Sequence, residues 1–347
     1  MRVLVTGILG YIGSRLGPEL VRRGHHVVGL DTGFYRGATL VGSEAVIPVA
    51  RRDVRDVVPA ELRGFDAVIH LAELSNDPLG QLDPALTRRI NFGGSVALAR
   101  AARDAGVPRF LYSSSCSVYG LGTGDLKTED SPVSPRTEYA RCKADVERAV
   151  AELACDEFSP LFLRNATAYG PSPAMRFDLV LNNLAGMAWT ARRIAMTSDG
   201  SPWRPLVHVE DICRAFAVAL ETPRERWHNR VLNVGDTEQN FQVREIADMV
   251  AAAVPGCTVS FGERDPDTRS YRVDCSRIRD VLPAFACART AAEGARELAR
   301  VFAEVDLTTM DFERRQFTRL RQLRYLLEAG QLDRDLRWRR PRRRPRR

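Results

Sequence analysis

The first 165 residues alternate short apolar runs with longer stretches in which apolar residues recur every three or four positions. The apolar runs predict strands at 2–6, 26–30, 45–49, 66–71, 109–114 and 159–164. The stretches between them predict helices at about 11–23, 54–63, 83–105 and 138–157. Strands that alternate with helices indicate an α/β fold, a doubly wound parallel sheet covered by helices on both faces. Such sheets bind ligands at the carboxyl ends of their strands.

The regular alternation loosens after about residue 166, which predicts a second and smaller α/β lobe. We expect a cofactor-binding domain over 1–165, to which segments around 205–235 return, and a mostly substrate-binding lobe over 166–303. Residues 304–336 are predicted to form a helical C-terminal extension, with a helix near 311–328. Its leucines at 320, 323 and 327 give a helical stripe. That stripe predicts that the extension packs either on the rest of the same chain or on a second copy in a dimer, and we favour packing on the same chain.

Composition places the chain among globular proteins, with 44% hydrophobic and 27% charged residues. No apolar run approaches the length of a membrane span, and the N-terminus has the pattern of a first strand and not of a secretory signal. Seven scattered cysteines form no CxxC pair, and the histidines offer no matching metal spacing. We therefore expect reduced thiols, a cytoplasmic location, no membrane partner and no metal.

The net charge of +7 belongs to the end of the chain. Residues 337–347 hold eight arginines and no acidic residue, so the rest of the chain has a net charge of −1. A terminal arginine–proline run predicts a disordered tail. Contact with nucleic acid or an anionic membrane surface would rest on this tail alone, because no other segment interleaves basic and aromatic residues. We expect no nucleic-acid partner.

A glycine motif follows the first strand. Gly7, Gly10 and Gly13 have the spacing GxxGxxG and open the first predicted helix. Glycine lets backbone approach a pyrophosphate, and the N–H groups of a helix start bind its oxygens, so the motif predicts a dinucleotide site of the Rossmann type. Asp31, at the end of the second strand, can accept hydrogen bonds from ribose hydroxyls and would repel a 2′-phosphate, which favours NAD over NADP although Arg36 lies nearby. Asp53 fits either the adenine end of this site or a helix N-cap.

A second motif combines the serines of 113–117 with Tyr139 and Lys143. On a helix, Tyr139 and Lys143 lie on one face, one turn apart. An unperturbed tyrosine has a pKa of about 10, so it needs help to act as a base at neutral pH. A neighbouring ammonium favours the phenolate. The serines end the fifth strand. A serine hydroxyl there can hydrogen-bond the substrate oxygen whose proton Tyr139 takes or gives.

The TGxxGxxG start, the acidic end of strand two, HLA at 70–72, SSSxSVYG at 113–120 and YxxxK at 139–143 together resemble the extended short-chain dehydrogenase/reductase family. Within it, residues 1 to about 285 resemble the NAD-dependent nucleotide-sugar epimerases and dehydratases, such as UDP-glucose 4-epimerase. The resemblance implies catalytic roles for Ser115, Tyr139 and Lys143, and a homodimer formed through helices 83–105 and 138–157. It implies a cofactor site for NAD made of Gly7, Gly10, Tyr11, Ile12, Gly13, Asp31, Asp53, Val54, Leu71, Ala72, Tyr139 and Lys143.

The positions after Ser115 bear on the reaction. Related dehydratases carry Asp-Glu there, and decarboxylating relatives carry Glu at the second place, whereas this chain has Cys116 and Ser117. In the branch that epimerises C3 and C5, a cysteine occupies the place of Ser117, so Cys116 is out of register and we expect a packed thiol. What remains is epimerisation at C4 of a nucleotide-diphosphate hexose through a 4-keto intermediate. The alternatives are a 4-ketoreductase or 4,6-dehydratase and, more remotely, a non-catalytic dinucleotide-binding regulator.

The resemblance also implies a set of substrate contacts. Arg204, with Arg264 or Arg269, would bind the diphosphate, for which the guanidinium fork is suited. Many relatives have Asn where this chain has Thr167, and Asn165 could take its place. The complete predicted substrate set is Ser115, Ser117, Thr167, Asn183, Arg204, Arg264 and Arg269.

Overall fold

The computed structural model describes residues 1–37, 39–42, 46–75, 83–263 and 269–339. Its strands, in chain order, are β1 (Arg2–Thr6), β2 (His26–Asp31), β3 (Val49–Arg51), β4 (Ala67–His70), β5 (Arg109–Ser115), β6 (Leu121–Lys127), β7 (Ser159–Asn165), β8 (Thr167–Tyr169), β9 (Arg193–Ala195), β10 (Trp203–His208), β11 (Arg230–Val234), β12 (Asn240–Gln242), β13 (Thr258–Ser260) and β14 (Ser270–Val273). Seven of them form a parallel sheet in the order β11-β7-β5-β4-β1-β2-β3. The doubly wound fold predicted from the sequence is thus confirmed.

The α-helices are α1 (Gly13–Arg22), α2 (Pro59–Leu62), α3 (Pro84–Thr87), α4 (Ser95–Asp104), α5 (Glu138–Ala151), α6 (Val180–Ala191), α7 (Val209–Glu221), α8 (Val243–Ala253), α9 (Arg277–Val281), α10 (Ala291–Glu304), α11 (Thr309–Phe312) and α12 (Arg319–Glu328). A π-helical segment, Arg88–Gly94, joins α3 to α4. Short 3₁₀ turns occur at Val54–Asp56, Cys116–Tyr119, Arg224–Arg226, Thr237–Gln239 and Arg315–Phe317. Among the helices of the described ranges, none combines the length and apolar character needed to cross a membrane.

Alternate side chains of the central strands pack against different helices. Val3 and Val5 of β1 belong to a buried cluster with residues of α1 and α7, such as Leu16 and Ile212. Leu4 belongs to the opposite cluster, which includes residues of α4 and α5. Because successive side chains of a strand point to opposite faces, the near-continuous apolar runs reflect a sheet that is covered on both sides.

A later segment of the chain returns to the central sheet of the cofactor-binding domain. β11 pairs in parallel with β7, as expected for the segments around 205–235. β10 differs, because it pairs with β8 and β12 in a separate three-stranded sheet. Helices α6, α8 and α10 share a second hydrophobic cluster with it and form the C-terminal lobe.

Three predicted elements differ from the observed ones. The helix expected at about 54–63 is a 3₁₀ turn, Val54–Asp56, followed by the short helix α2. The strand expected at 45–49 is Val49–Arg51, whose residues pair with Gly29–Asp31; Pro48, just before it, has no N–H to donate to a ladder. The helix expected over 311–328 is broken between α11 and α12. Phe312 and Phe317 both pack on Phe177, with ring centroids 4.9 and 5.4 Å away. Residues five apart point about 140° away from each other on one helix, so a break is needed to bring both rings there.

The C-terminal extension packs on the cofactor-binding domain. Leu323, Leu326, Leu332 and Leu336 form a buried cluster with Phe34, Leu74, Leu86 and Ile90. This packing agrees with the expectation that the extension packs on the rest of the same chain. The expected disordered tail at 337–347 is wrong at its beginning, because Arg337 pairs with Asp56 at 2.9 Å and the Trp338 indole N–H donates to the carbonyl oxygen of Thr32 at 2.7 Å. Residues 340–347 lie outside the described residues.

Candidate active site

The glycine motif sets the start of α1 against the end of β1. Gly7 has a φ of +72°, and a Cβ there would lie 2.9 Å from the backbone nitrogen of Ala72. A Cβ on Gly13 would lie 2.3 Å from the carbonyl oxygen of Gly7. Neither position can hold a larger residue without moving backbone. The first N–H groups of a helix have no partner within it, so α1 presents Tyr11, Ile12 and Gly13 as donors at this edge of the sheet.

A cavity of about 980 Å³, the cofactor cavity, lies in front of these donors. Ten of the predicted cofactor residues line it: Gly7, Gly10, Tyr11, Ile12, Gly13, Asp31, Asp53, Val54, Leu71 and Ala72. The cavity also contains Tyr35, Arg176 and Arg319, which sequence reasoning missed. Helix-start donors, a carboxylate at the end of β2 and buried cations are the groups that a dinucleotide requires, so the residues present fit NAD.

Asp31 and Asp53 are both held by backbone N–H groups. Asp31 accepts from Gly33 at 2.7 Å and from Leu9 at 3.1 Å, and burial raises the pKa of its carboxyl group. Asp53 accepts from the backbone N–H of Arg55 at 2.9 Å as the N-cap of a 3₁₀ turn. Its carboxylate also pairs with the Arg55 guanidinium at 2.7 Å. Both interpretations of Asp53 thus hold together, since it caps a turn and lines the cavity.

The predicted catalytic side chains meet in a second cavity of about 1900 Å³, the substrate cavity. Ser115 ends β5, and its hydroxyl accepts from the backbone N–H of Ser117 at 3.2 Å. Thr137 caps α5 by accepting from Ala140 N–H at 3.2 Å, and this cap fixes the turn that carries the tyrosine. Lys143 lies one turn on, with its ammonium 5.5 Å from the centroid of the Tyr139 ring. Ser115, Tyr139 and Lys143 all line the cavity.

A buried carboxylate that the sequence did not reveal holds Lys143. Oε2 of Glu73 lies 2.8 Å from the Lys143 nitrogen, and the two side chains are only 2% and 5% exposed. The Tyr112 hydroxyl donates to Oε1 of Glu73 at 2.5 Å. Burial and the Glu73 charge raise the pKa of Tyr112, which keeps it a donor. Lys143 also donates to the carbonyl oxygen of Ser113. The one signal for Glu73 was its place directly after the HLA segment at 70–72.

Cys116 is a packed thiol, as expected. It is fully buried, and its Sγ donates to the carbonyl oxygen of Arg164 at 3.2 Å. Burial raises the pKa of this thiol far above its ordinary value. Cys116 therefore offers neither a base nor a nucleophile to the substrate cavity, whereas Ser117 lines it.

The predicted substrate residues come from separate elements and line one cavity. Thr167 lies on β8, Asn183 on α6 and Arg204 on β10, and Arg269 comes just before β14. Arg204 donates to the carbonyl oxygens of Trp203 at 2.9 Å and of Arg269. Arg264 lies outside the described residues. Within the described residues there is no group of three or more His, Cys, Asp or Glu side chains that could hold a metal ion.

The two cavities adjoin each other. Ile12, Leu71, Glu73, Arg176 and Leu179 line both. Arg176 pairs with Asp178 at 2.9 Å and donates to the Ser75 hydroxyl at 3.2 Å. The cofactor cavity therefore borders the cavity that contains the tyrosine and lysine of α5.

Comparison with known proteins agrees with this geometry. The NAD dependent epimerase/dehydratase family matches residues 3–235. A UDP-glucose 4-epimerase of Mycolicibacterium smegmatis is 33% identical over 298 residues, which cover 81% of this chain and 92% of that protein. The solved structure of MoeE5 in complex with UDP-glucuronic acid and NAD has a TM-score of 0.76 at 28% identity and covers 88% of this chain and 99% of its own. DesIV from Streptomyces venezuelae, a dTDP-glucose 4,6-dehydratase with NAD and TYD bound, has a TM-score of 0.75 at 25% identity, covering 88% and 97%. With two thirds of its length matched by the family model, the chain belongs to the NAD-dependent epimerase/dehydratase family.

Proposed function

We propose that this protein is an NAD-dependent nucleotide-sugar epimerase that inverts C4 of a nucleotide-diphosphate hexose through a transient 4-keto sugar. One observation carries the proposal. Ser115, Tyr139 and Lys143 line a cavity that adjoins the cofactor cavity, while the two positions after Ser115 hold a buried thiol and a hydroxyl. The chemistry that this set supports is removal and return of a hydroxyl proton, with no carboxylate following Ser115 to deprotonate a ring carbon.

Each catalytic side chain has a separate task in this proposal. Tyr139 takes the proton of the sugar C4 hydroxyl and later gives it back, while the Ser115 hydroxyl binds the same oxygen. Lys143 carries a positive charge one turn from Tyr139, which favours the phenolate. NAD, when bound, supplies a hydride acceptor that can return the hydride. Inversion then requires the keto sugar to present its other face to the cofactor within the substrate cavity.

The substrate class rests on the cations of the substrate cavity and on relatives. Arg204 and Arg269 lie together at one wall, where two guanidinium groups suit a diphosphate. Asn183 lies in the same cavity, and its amide donates to the carbonyl oxygen of Phe177 at 2.8 Å. Proteins similar to this chain are named for UDP-glucose or are described with UDP-glucuronic acid. A nucleotide-diphosphate sugar is therefore the substrate we propose.

The test is a proton NMR time course of the purified protein with UDP-, dTDP-, GDP- and ADP-hexoses and no added cofactor. We expect one sugar to convert to its C4 epimer, and Tyr139→Phe to abolish the conversion. Accumulation of a stable 4-keto product would instead indicate a dehydratase, and conversion only with added NAD(P)H would indicate a ketoreductase. A protein that binds NAD but changes no sugar, with or without Tyr139, would favour a dinucleotide-binding regulator.

We further propose a cytoplasmic homodimer formed through the outer faces of α3–α4 and α5. All seven cysteines are free thiols, which supports a reducing compartment. On the outer side of these helices, Arg88 bridges Glu138 and Asp145 at 3.6 and 2.8 Å. Light scattering coupled to size-exclusion chromatography tests the dimer. A mass near 38.7 kDa would indicate a monomer and contradict it.

A further inference from the structure

The C-terminal extension, which lies beyond the region matched by the family, places one arginine in the cofactor cavity. Arg319 is the first residue of α12, is 1% exposed, and lines the cavity together with the α1 donors and Asp31. Its guanidinium lies 4.2 Å from the centroid of the Tyr35 ring. Nearby, the Gln322 amide donates to the carbonyl oxygen of Phe34 at 3.0 Å. The side chain is thus held by the extension and by the loop that follows β2.

The positive charge of Arg319 has no carboxylate partner within the described residues. Its Nη2 donates to the carbonyl oxygen of Ala174 at 3.3 Å, whereas Nη1 is buried without a hydrogen-bond partner in the described part of the chain. Burial and the like charge of Arg176 lower the pKa of Arg319 to about 10. A buried cation without a partner is costly to a protein, and its presence in a cavity points to an anionic ligand.

The charge pattern of the cavity identifies the anion. Positive charge in the lining comes from the start of α1, from Arg319 and from Arg176, which is paired with Asp178. Asp31 lies at the same cavity and would repel a phosphate on the neighbouring ribose hydroxyl. A diphosphate between the α1 donors and the two arginines satisfies both conditions, whereas a 2′-phosphate satisfies only the first.

We propose that Arg319 is a direct ligand of the diphosphate of bound NAD, so that the C-terminal extension is part of the cofactor site. The extension is fastened at its other end as well. Arg337 pairs with Asp53 at 3.2 Å, and Trp338 packs beside Phe34 with ring centroids 5.8 Å apart. Both contacts involve residues that line the same cavity, Asp53 and Phe34. The inference requires only that NAD binds, and it does not depend on the sugar or on the reaction.

The test measures nucleotide binding to the full-length protein after its endogenous nucleotide has been removed. Isothermal titration with NAD, ADP, adenosine and adenosine 2′-monophosphate compares the wild type with Arg319→Gln. A charge-assisted hydrogen bond predicts that NAD and ADP each bind about 10- to 100-fold more weakly, with adenosine unchanged. Arg319→Lys should recover part of the loss, because it keeps the charge without the fork. Arg324→Gln is the matched control, since Arg324 lies exposed on the same helix and should leave all affinities unchanged.

Thermal stability separates a ligand role from a structural one. Removing a buried, unpartnered charge should leave the nucleotide-free Arg319→Gln protein at least as stable as wild type, while the rise in Tm on adding NAD becomes smaller. The proposal fails if Arg319→Gln binds ADP as well as wild type does. It also fails if adenosine weakens as much as ADP, or if only adenosine 2′-monophosphate weakens. Failure of every epimerase assay would leave these binding results untouched.

Discussion

Replacing Glu73 by Gln should shift the pH dependence of catalysis. The Glu73 carboxylate pairs with the Lys143 ammonium at 2.8 Å, and that ammonium lies 5.5 Å from the centroid of the Tyr139 ring. Lys143 favours the phenolate of Tyr139, and the carboxylate opposes it. Glu73→Gln removes the opposing charge and keeps a side chain of the same shape, which can still accept a hydrogen bond from Tyr112.

The size of the effect follows from the distances. The Glu73–Lys143 distance and the distance from Lys143 to the Tyr139 ring centroid add up to about 8 Å, so the carboxylate lies no farther than this from the ring centroid. At about 8 Å and an effective dielectric constant of about 20, the negative charge of Glu73 disfavours the Tyr139 phenolate by about 2 kcal/mol. That energy corresponds to about 1.5 pH units. The acid limb of the kcat profile of Glu73→Gln should therefore lie about 1 to 1.5 units lower than that of the wild type.

The assay is the initial rate of sugar conversion across the pH range, with near-ultraviolet tyrosinate absorbance of wild type minus Tyr139→Phe as a readout that needs no substrate. Asp248→Asn is the control, because Asp248 lies exposed on α8 and lines neither cavity. Solvent and salt screen such a charge, so the acid limb of the kcat profile of this control variant should lie where that of the wild type lies. If Glu73→Gln lowers the rate equally at every pH, the carboxylate only holds Lys143 in place and the electrostatic reasoning is wrong.

Three other predictions follow from the same geometry. Tyr139→Phe should lower kcat by about 10²- to 10⁴-fold and leave the bound NAD measured after denaturation unchanged; equal loss of both would indicate a folding defect. Arg204→Gln should weaken binding of a nucleoside diphosphate about 10- to 100-fold by titration, without changing NAD affinity. Burial and the Lys143 charge lower the pKa of His70 to about 3, so the unfolded chain takes up a proton below about pH 6.5 that the folded protein does not. Stability is therefore full above pH 6.5 and falls toward pH 3, by about 2 kcal/mol at pH 5 from this residue; urea unfolding of His70→Gln should show a correspondingly smaller difference between pH 8 and pH 5.

Local patterns in the sequence were enough to predict the fold and the residues that the family motifs carry. The glycines of the α1 turn, the aspartate that ends β2 and the tyrosine–lysine turn of α5 each lie within a few residues of the element that positions them. Their place follows from the rule that parallel strands deliver ligand-binding residues at their carboxyl ends. All described members of the predicted cofactor, catalytic and substrate sets line one of two adjoining cavities.

What the sequence could not predict depends on contacts between distant segments. Glu73 meets Lys143 across 70 positions of chain, and Arg319 reaches a cavity whose glycines lie more than 300 residues earlier. The break between α11 and α12 depends on the burial of two rings on Phe177, which periodicity within 311–328 does not contain. The arginine-rich composition of 337–347 predicted disorder for the whole segment. Arg337 and Trp338 nevertheless have specific partners in the cofactor-binding domain, Asp56 and Thr32.

Two buried cations, the Lys143 ammonium and the Arg319 guanidinium, have opposite consequences for ligand binding. Lys143 already has a carboxylate partner in the protein, so its electrostatic effect on Tyr139 is moderated before any ligand arrives. Arg319 has no such partner in the described residues, so a bound diphosphate would gain a full charge-assisted contact there. The cofactor site is thus suited to retaining its nucleotide, while the catalytic pair is suited to exchanging a proton. An enzyme that returns hydride to the same sugar needs both properties, because the reduced cofactor has to stay bound until the proton is given back.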